Sequence, residues 1–310
     1  MKIDYISDLH LDCVLDPAGG PDSYDRMHWL YETYMANREG SGEILVIAGD
    51  LGHFNSQNLA FLRVLGEYYS HIVIVSGNHD LYLPAGAAME LYRDSFERLN
   101  ELQVKTTAME KVHFLNGNCI EVGSVKIAGS GLWYDYSFGL LRGESLKGLK
   151  TDWARTMNDA KKIVTLEQYA SKERSDTGAG YRLDNQKFAA MQKSRLLDTV
   201  RSCRPDLIVS HIPPLVDIAL ESDKTGRGSD PDMMNYYYTD TREFGPYVNG
   251  KVWICGHTHN RVDMMKHGCR YLANPFGYYE EDFGREVRRP IRSVEISGFD
   301  SSQSIRGKRR

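Results

Sequence analysis

The chain has 310 residues, 41% of them hydrophobic and 26% charged, which is the balance of a globular protein with material for a large core. Lysine and arginine number 38 against 42 aspartates and glutamates, so the net charge is −4; this excludes a basic footprint for sequence-blind nucleic-acid binding but leaves room for a small nucleotide. No run of about 18 apolar residues occurs to span a membrane, and the start MKIDYISDLHLD, interrupted by Asp4 and Asp8, does not read as a signal peptide.

Along the chain, Lys2–Ile6 is predicted as a strand and leads directly to Asp8 and His10. The run ILVIA at Ile44–Ala48 is continuously apolar, as a strand buried on both faces would be, and precedes Gly49-Asp50. Ser56–Tyr69 is predicted helical, with Leu59, Leu62, Val64 and Leu65 near one face and Ser56 as N-cap. Ile72–Ser76 (IVIVS) is a strand ending in Gly77-Asn78-His79-Asp80, and Ala87–Leu102 is the next helix. Val122–Ala128 is a further strand. Asp152–Glu173 and Asn185–Arg201 are predicted as long helices flanking the Gly- and Asp-rich loop Ser175–Asp184. Leu207–Ser210 (LIVS) runs into His211. The stretch Asp217–Phe244, with Gly226, Gly228, Pro231 and the run Tyr236–Tyr238, reads as either a lid or a surface excursion. Val252–Cys255 ends in Gly256-His257-Thr258-His259, Ser293–Ser297 is the last strand, and Ser301–Arg310 is a polar basic tail expected to be disordered. Strands alternating with helices indicate α/β architecture. The cysteines Cys13, Cys119, Cys203, Cys255 and Cys269 are scattered and odd in number, with no C-x-x-C pair; they are expected to be reduced thiols, as in a cytoplasmic protein.

Five predicted strands thus end in Asp, Asn or His, and in α/β sheets ligand sites form beyond the carboxyl ends of strands. Asp8 and His10 stand two apart, as do His257 and His259; in extended backbone such pairs point to one side and could share a centre. The glycines before Asp50, Asn78 and His257 suit sharp exits that a Cβ would obstruct. Carboxylate, imidazole and amide oxygen together suit divalent manganese, iron, zinc or cobalt, and the lack of cysteine argues against a structural zinc site.

This order of motifs, from Asp8 to Asn274-Pro275-Phe276-Gly277-Tyr278 and with a weaker match at Gly131-Leu132-Trp133, resembles the calcineurin-like metallophosphoesterases. The resemblance implies a four-layer α-β-β-α sandwich of two mixed β-sheets flanked by helices. It would form one domain over 1–300, with a helical insertion at about 135–203 and a loop insertion at about 217–244. It implies two divalent ions, manganese first, with iron, zinc, cobalt, nickel or magnesium as alternatives. Asp8, His10, Asp50 and His259 would hold one ion and Asp50, Asn78, His211 and His257 the other, Asp50 bridging. A metal-bridging hydroxide would attack phosphorus, with His79 as general acid oriented by Asp80.

Substrate class follows from departures within the family. Protein Ser/Thr phosphatases carry arginines that Gly49-Asp50-Leu51-Gly52-His53-Phe54 and Val75-Ser76-Gly77-Asn78-His79-Asp80 lack, and UDP-diacylglucosamine hydrolases carry arginine where this chain has His79. A small-molecule phosphodiesterase or phosphatase, on a nucleotide or cyclic nucleotide, is the expectation. A nuclease or protein phosphatase of the family, and a non-catalytic binding protein on the same fold, are the alternatives. Arg261 could meet substrate phosphate or face outward from a strand. His53 could contact substrate or serve its loop. Trp133, Tyr134 and Tyr236–Tyr238 could stack on a base or belong to core and surface.

Overall fold

Continuously apolar strands need cover on both faces, and the chain supplies it with two stacked sheets between helices. The computed structural model describes residues 1–15, 24–37, 40–83, 91–166, 169–175, 180–220, 231–278 and 289–296. Its strands are, in chain order, β1 (Lys2–Ile6), β2 (Ile44–Ala48), β3 (His71–Val75), β4 (Val112–Phe114), β5 (Asn118–Val122), β6 (Val125–Gly129), β7 (Ala170–Arg174), β8 (Tyr181–Leu183), β9 (Leu207–Val209), β10 (Val252–Cys255), β11 (Val262–Lys266), β12 (Cys269–Ala273) and β13 (Arg292–Glu295). The first sheet has the order β13-β1-β2-β3-β4 and the second β11-β12-β10-β9-β6-β5. In the first, β1 through β4 are parallel and β13 antiparallel. In the second, the inner strands β12, β10, β9 and β6 are parallel, while β11 and β5 join as antiparallel edges.

Alternation along each strand sorts side chains into layers. Ile3, Val46 and Val73 meet Ile127, Leu207 and Ile254 of the other sheet in one apolar layer. Leu45, Ile47, Ile72 and Ile74 belong instead to the cluster containing Phe61 and Leu62 of the helix Asn55–Tyr68 and Leu102 of the helix Ser95–Thr107. Helix Asn185–Cys203 covers the second sheet at β5 and β6. This is the α-β-β-α sandwich expected from the sequence. Among the described residues no helix is long and apolar enough to cross a membrane.

Several local expectations are corrected. Val122–Ala128 is not one strand: it breaks at a turn where Gly123 has φ 59°, between β5 and β6. Phe54, not Ser56, holds the N-cap position of the first long helix, and its side chain caps nothing. The next helix is Ser95–Thr107, started by the Asp94 carboxylate accepting from Glu97 N; residues 87–90 of the predicted Ala87–Leu102 lie outside the described residues. Asp152–Glu173 is not one helix but the end of Leu146–Thr156, a short helix Asn158–Lys162 and most of β7. The loop Ser175–Asp184 contains β8, and residues 221–230 and 301–310 lie outside the described residues. Cys119 on β5 and Cys203 at the end of Asn185–Cys203 form a disulfide, with Cα atoms 6.6 Å apart, while Cys13, Cys255 and Cys269 remain thiols. That pairing removes two of the five thiols behind the expectation of a reducing compartment.

Candidate metal centre

Because β1, β2, β3, β9 and β10 reach one edge of the sandwich, the residues just after them meet. Backbone bonds knit these ends together: Asp8 N donates to Gly49 O, His10 N to Asp50 O and Gly256 N to His211 O. The approach is close enough to require glycine. A Cβ on Gly77 would fall on the Asp50 carboxylate, and one on Gly256 would lie 2.7 Å from Asp8 Oδ2. Asp8, His10, Asp50, His257 and His259 all lie in the left-handed region, with φ of 53°, 43°, 57°, 72° and 52°. The i, i+2 pairs therefore converge through left-handed turns, not through extended backbone as expected from their spacing. Such a conformation costs an L residue about 1–2 kcal/mol, and strain of this kind gathers where function fixes geometry.

Three overlapping groups bring ligand atoms within 4.8 Å of one another: Asp8, His10 and His259; Asp8, Asp50 and His211; and His10, Asp50 and His79. His10 Nε2 faces His259 Nε2 at 3.0 Å, and His259 Nε2 is 3.6 Å from Asp8 Oδ1. Asp50 Oδ2 stands between the two halves, 3.8 Å from His10 Nε2 and 3.4 Å from His211 Nε2. Asn78 Oδ1 is 3.0 Å from His211 Nε2. His257 falls in none of the three groups. Its Nε2 lies 2.9 Å from Tyr236 O, which fixes the proton there and leaves Nδ1 as the lone-pair nitrogen of a ring 5.0 Å from that of His211. Ring nitrogens and carboxylates turned toward each other in a buried space, with one carboxylate common to both halves, fit a pair of divalent cations.

The side chains alone carry perturbed charges. Burial opposes the charge on His211, but the Asp50 carboxylate outweighs it and holds the imidazole up at about 10. Burial likewise opposes ionisation of Asp50, yet His211 and His79 hold it well below the usual carboxylate range. Burial lowers His257 to about 3, aided by the charge of His211, and lowers His79 to about 3. Burial and the neighbouring Asp50 push Asp80 up to about 6.

The surroundings reassign Asp80. Its carboxylate accepts from Asp50 N, Leu51 N and Gly77 N at 3.0, 3.1 and 2.7 Å, so it ties two ligand loops together instead of orienting His79. The His79 ring has other partners, His53 Nε2 at Nδ1 and Tyr278 Oη at Nε2, both 3.0 Å away. Two further buried charges had no signal in the sequence. The Arg98 guanidinium donates to the carbonyls of His79, Asp80, Tyr82 and Gly52. Asp159 accepts from Asn78 Nδ2 at 2.9 Å, from Tyr134 Oη at 2.6 Å and from Tyr82 Oη, holding the amide so that its oxygen faces His211. Asp12, two residues from His10, belongs to no motif, and Tyr278 stands in the sequence only as the end of Asn274-Pro275-Phe276-Gly277-Tyr278. Arg261 is exposed one residue before β11. Trp133 is buried with Nε1 donating to Asn185 Oδ1, and Tyr134, Tyr236 and Tyr238 are buried, which favours the core reading for them. Tyr237 is only half-buried, with its ring 5.3 Å from that of His257.

The sequence profile of the calcineurin-like phosphoesterases matches residues 1–261, and the chain belongs to that family: it is a metal-dependent phosphoesterase. Among solved structures, the phosphopantetheinyl hydrolase of Mycobacterium tuberculosis is similar at 20% identity, over 94% of this chain and 95% of that one, with a TM-score of 0.66; the likeness speaks for the fold. A candidate 5'-nucleotidase from Staphylococcus aureus, in complex with alpha-ketoglutarate, matches at 12% identity over 98% of this chain and 56% of that one, with a TM-score of 0.37. A comparison with curated proteins finds no match.

Proposed function

We propose that the chain hydrolyses a small-molecule phosphoester, with a nucleotide or cyclic nucleotide as the class to try first. Asp8, His10, Asp50 and His259 would hold one divalent ion and Asp50, Asn78, His211 and His257 the other. Bound ions of this kind, manganese first, activate water as a nucleophile and offset charge on the phosphoryl oxygens. The protein's own part is to fix the ligands and to move a proton. Asp50 joins the two halves, and the observation that carries the reading is its Oδ2 between His10 and His211. Asp159 and Asp80 hold Asn78 and the Asp50 loop in place. His79 donates a proton to the leaving oxygen as an imidazolium: its ring reaches the ligand cluster while Nδ1–H is engaged by His53, so Nε2, once protonated from solvent, is the nitrogen left for transfer.

The test uses bis-p-nitrophenyl phosphate, p-nitrophenyl phosphate, nucleotides and cyclic nucleotides with added manganese. A phosphopantetheinyl ester belongs in the same set, since the Mycobacterium tuberculosis protein of similar fold is named for that group. The expected result is turnover of at least one class. His79→Ala should keep its metal and slow esters with poor leaving groups about 100-fold. Loss of metal in His79→Ala would make it a ligand and overturn its assigned role.

A further inference from the structure

The His79 ring is held from behind by a chain of two residues. Asp12 Oδ1 accepts from His53 N at 3.0 Å, and its Oδ2 lies 3.0 Å from His53 Nδ1, so the carboxylate grips both backbone and ring. His53 Nε2 then lies 3.0 Å from His79 Nδ1, with the two rings inclined by only 22°. Beyond His79, Nε2 is 3.0 Å from Tyr278 Oη. The backbone on both sides is pinned, because Arg98 donates to the carbonyls of Gly52 and His79. The carboxylate next in sequence to His79 is not available for this work, since Asp80 already takes three backbone N–H groups.

An ionised carboxylate only accepts, so Asp12 places a proton on His53 Nδ1. A neutral imidazole with a proton on Nδ1 accepts at Nε2, and there it takes the Nδ1 proton of His79. His79 thereby keeps its proton on Nδ1 and is left with Nε2, on the side of Tyr278 and the ligand cluster, as the nitrogen that takes up a proton from solvent and then passes it to the leaving oxygen.

We propose that His53 and Asp12 are positioning residues that set the tautomer and orientation of His79 for proton transfer. The inference rests on the reading of His79 as proton donor. His53 works through His79 and takes no part in holding the ions.

The experiment uses the full chain loaded with manganese and a series of aryl phosphodiesters of rising leaving-group pKa. His79→Ala, His53→Ala, His53→Gln and Asp12→Asn are compared with the unaltered protein for kcat, KM and metal content. His53→Ala should lower kcat on the poorest leaving groups by about 10- to 100-fold, the scale of losing a partner that orients a functional imidazole. It should leave p-nitrophenol release, KM and metal content near their original values. Gln at position 53 can still accept the His79 Nδ1 proton through its amide oxygen, so His53→Gln should recover part of the loss, and Asp12→Asn should fall between. Imidazole 15N shifts of the zinc-loaded protein should show His79 protonated at Nδ1, and that preference should weaken in His53→Ala. Uniform slowing across the series, loss of metal or an unchanged His79 tautomer in His53→Ala would overturn the inference. A His79→Ala variant without leaving-group dependence would overturn the underlying reading instead.

Discussion

Asp50 concentrates what single residues contribute. Its backbone is left-handed, its Oδ1 accepts from His79 N at 2.9 Å, and its Oδ2 faces an imidazole on each side. Asp50→Asn keeps the shape but replaces one charged oxygen by an amide nitrogen that cannot ligate. It is expected to lower affinity for both ions at least tenfold, measured by metal analysis after dialysis; two ions retained at unchanged affinity would show that Asp50 is not shared. Residues of this type were legible because each directly follows an apolar run, so local pattern alone places it at a strand end. Asp12, Arg98 and Asp159 were not, because their roles depend on contacts across 41, 46 and 81 positions that no local pattern records.

At the scale of elements, the departure with the clearest physical cause is the predicted helix Asp152–Glu173. Good helix formers fill it, yet Met157 is extended at ψ 134° and the short helix Asn158–Lys162 buries Asp159 against three donors at the metal centre. Burying a carboxylate without those partners would cost several kcal/mol, so the tertiary requirement overrides helix propensity. Asp159→Asn should weaken metal binding on the Asn78 side about tenfold, read by calorimetric titration; unchanged affinity would leave Asp159 with a packing role only. The hairpin β11–β12 is not legible in the sequence for a different reason. Its first strand is short and leaves Asp263 and Met265 exposed, so its apolar residues do not form a buried run, and its turn at His267-Gly268 has positive φ at both positions, a signal carried by one glycine only.

At the scale of the whole molecule, the two facing sheets explain why five separate segments can build one centre: the parallel strands that end at it are buried on both faces and fixed in register. The Cys119–Cys203 disulfide fastens the edge strand β5 to the helix behind it across 84 positions. Crosslinks over such separations contribute about 2–4 kcal/mol. Reductant should therefore lower Tm by several degrees, while the Cys119→Ser/Cys203→Ser variant melts at the reduced value in either condition; equal Tm with and without reductant in the unaltered protein would count against the bond. The architecture was readable from the sequence only through its resemblance to a family, since apolar runs reveal buried strands but not how many sheets they form.

The central claim is that two divalent ions, joined through Asp50, are required for phosphoester hydrolysis. The direct test strips the protein with EDTA, removes the chelator, and titrates manganese while following hydrolysis of the ester that responds best. Activity absent after stripping and rising to a plateau at two equivalents per chain is the expected result. Activity that survives stripping, or a plateau at one equivalent, would contradict it.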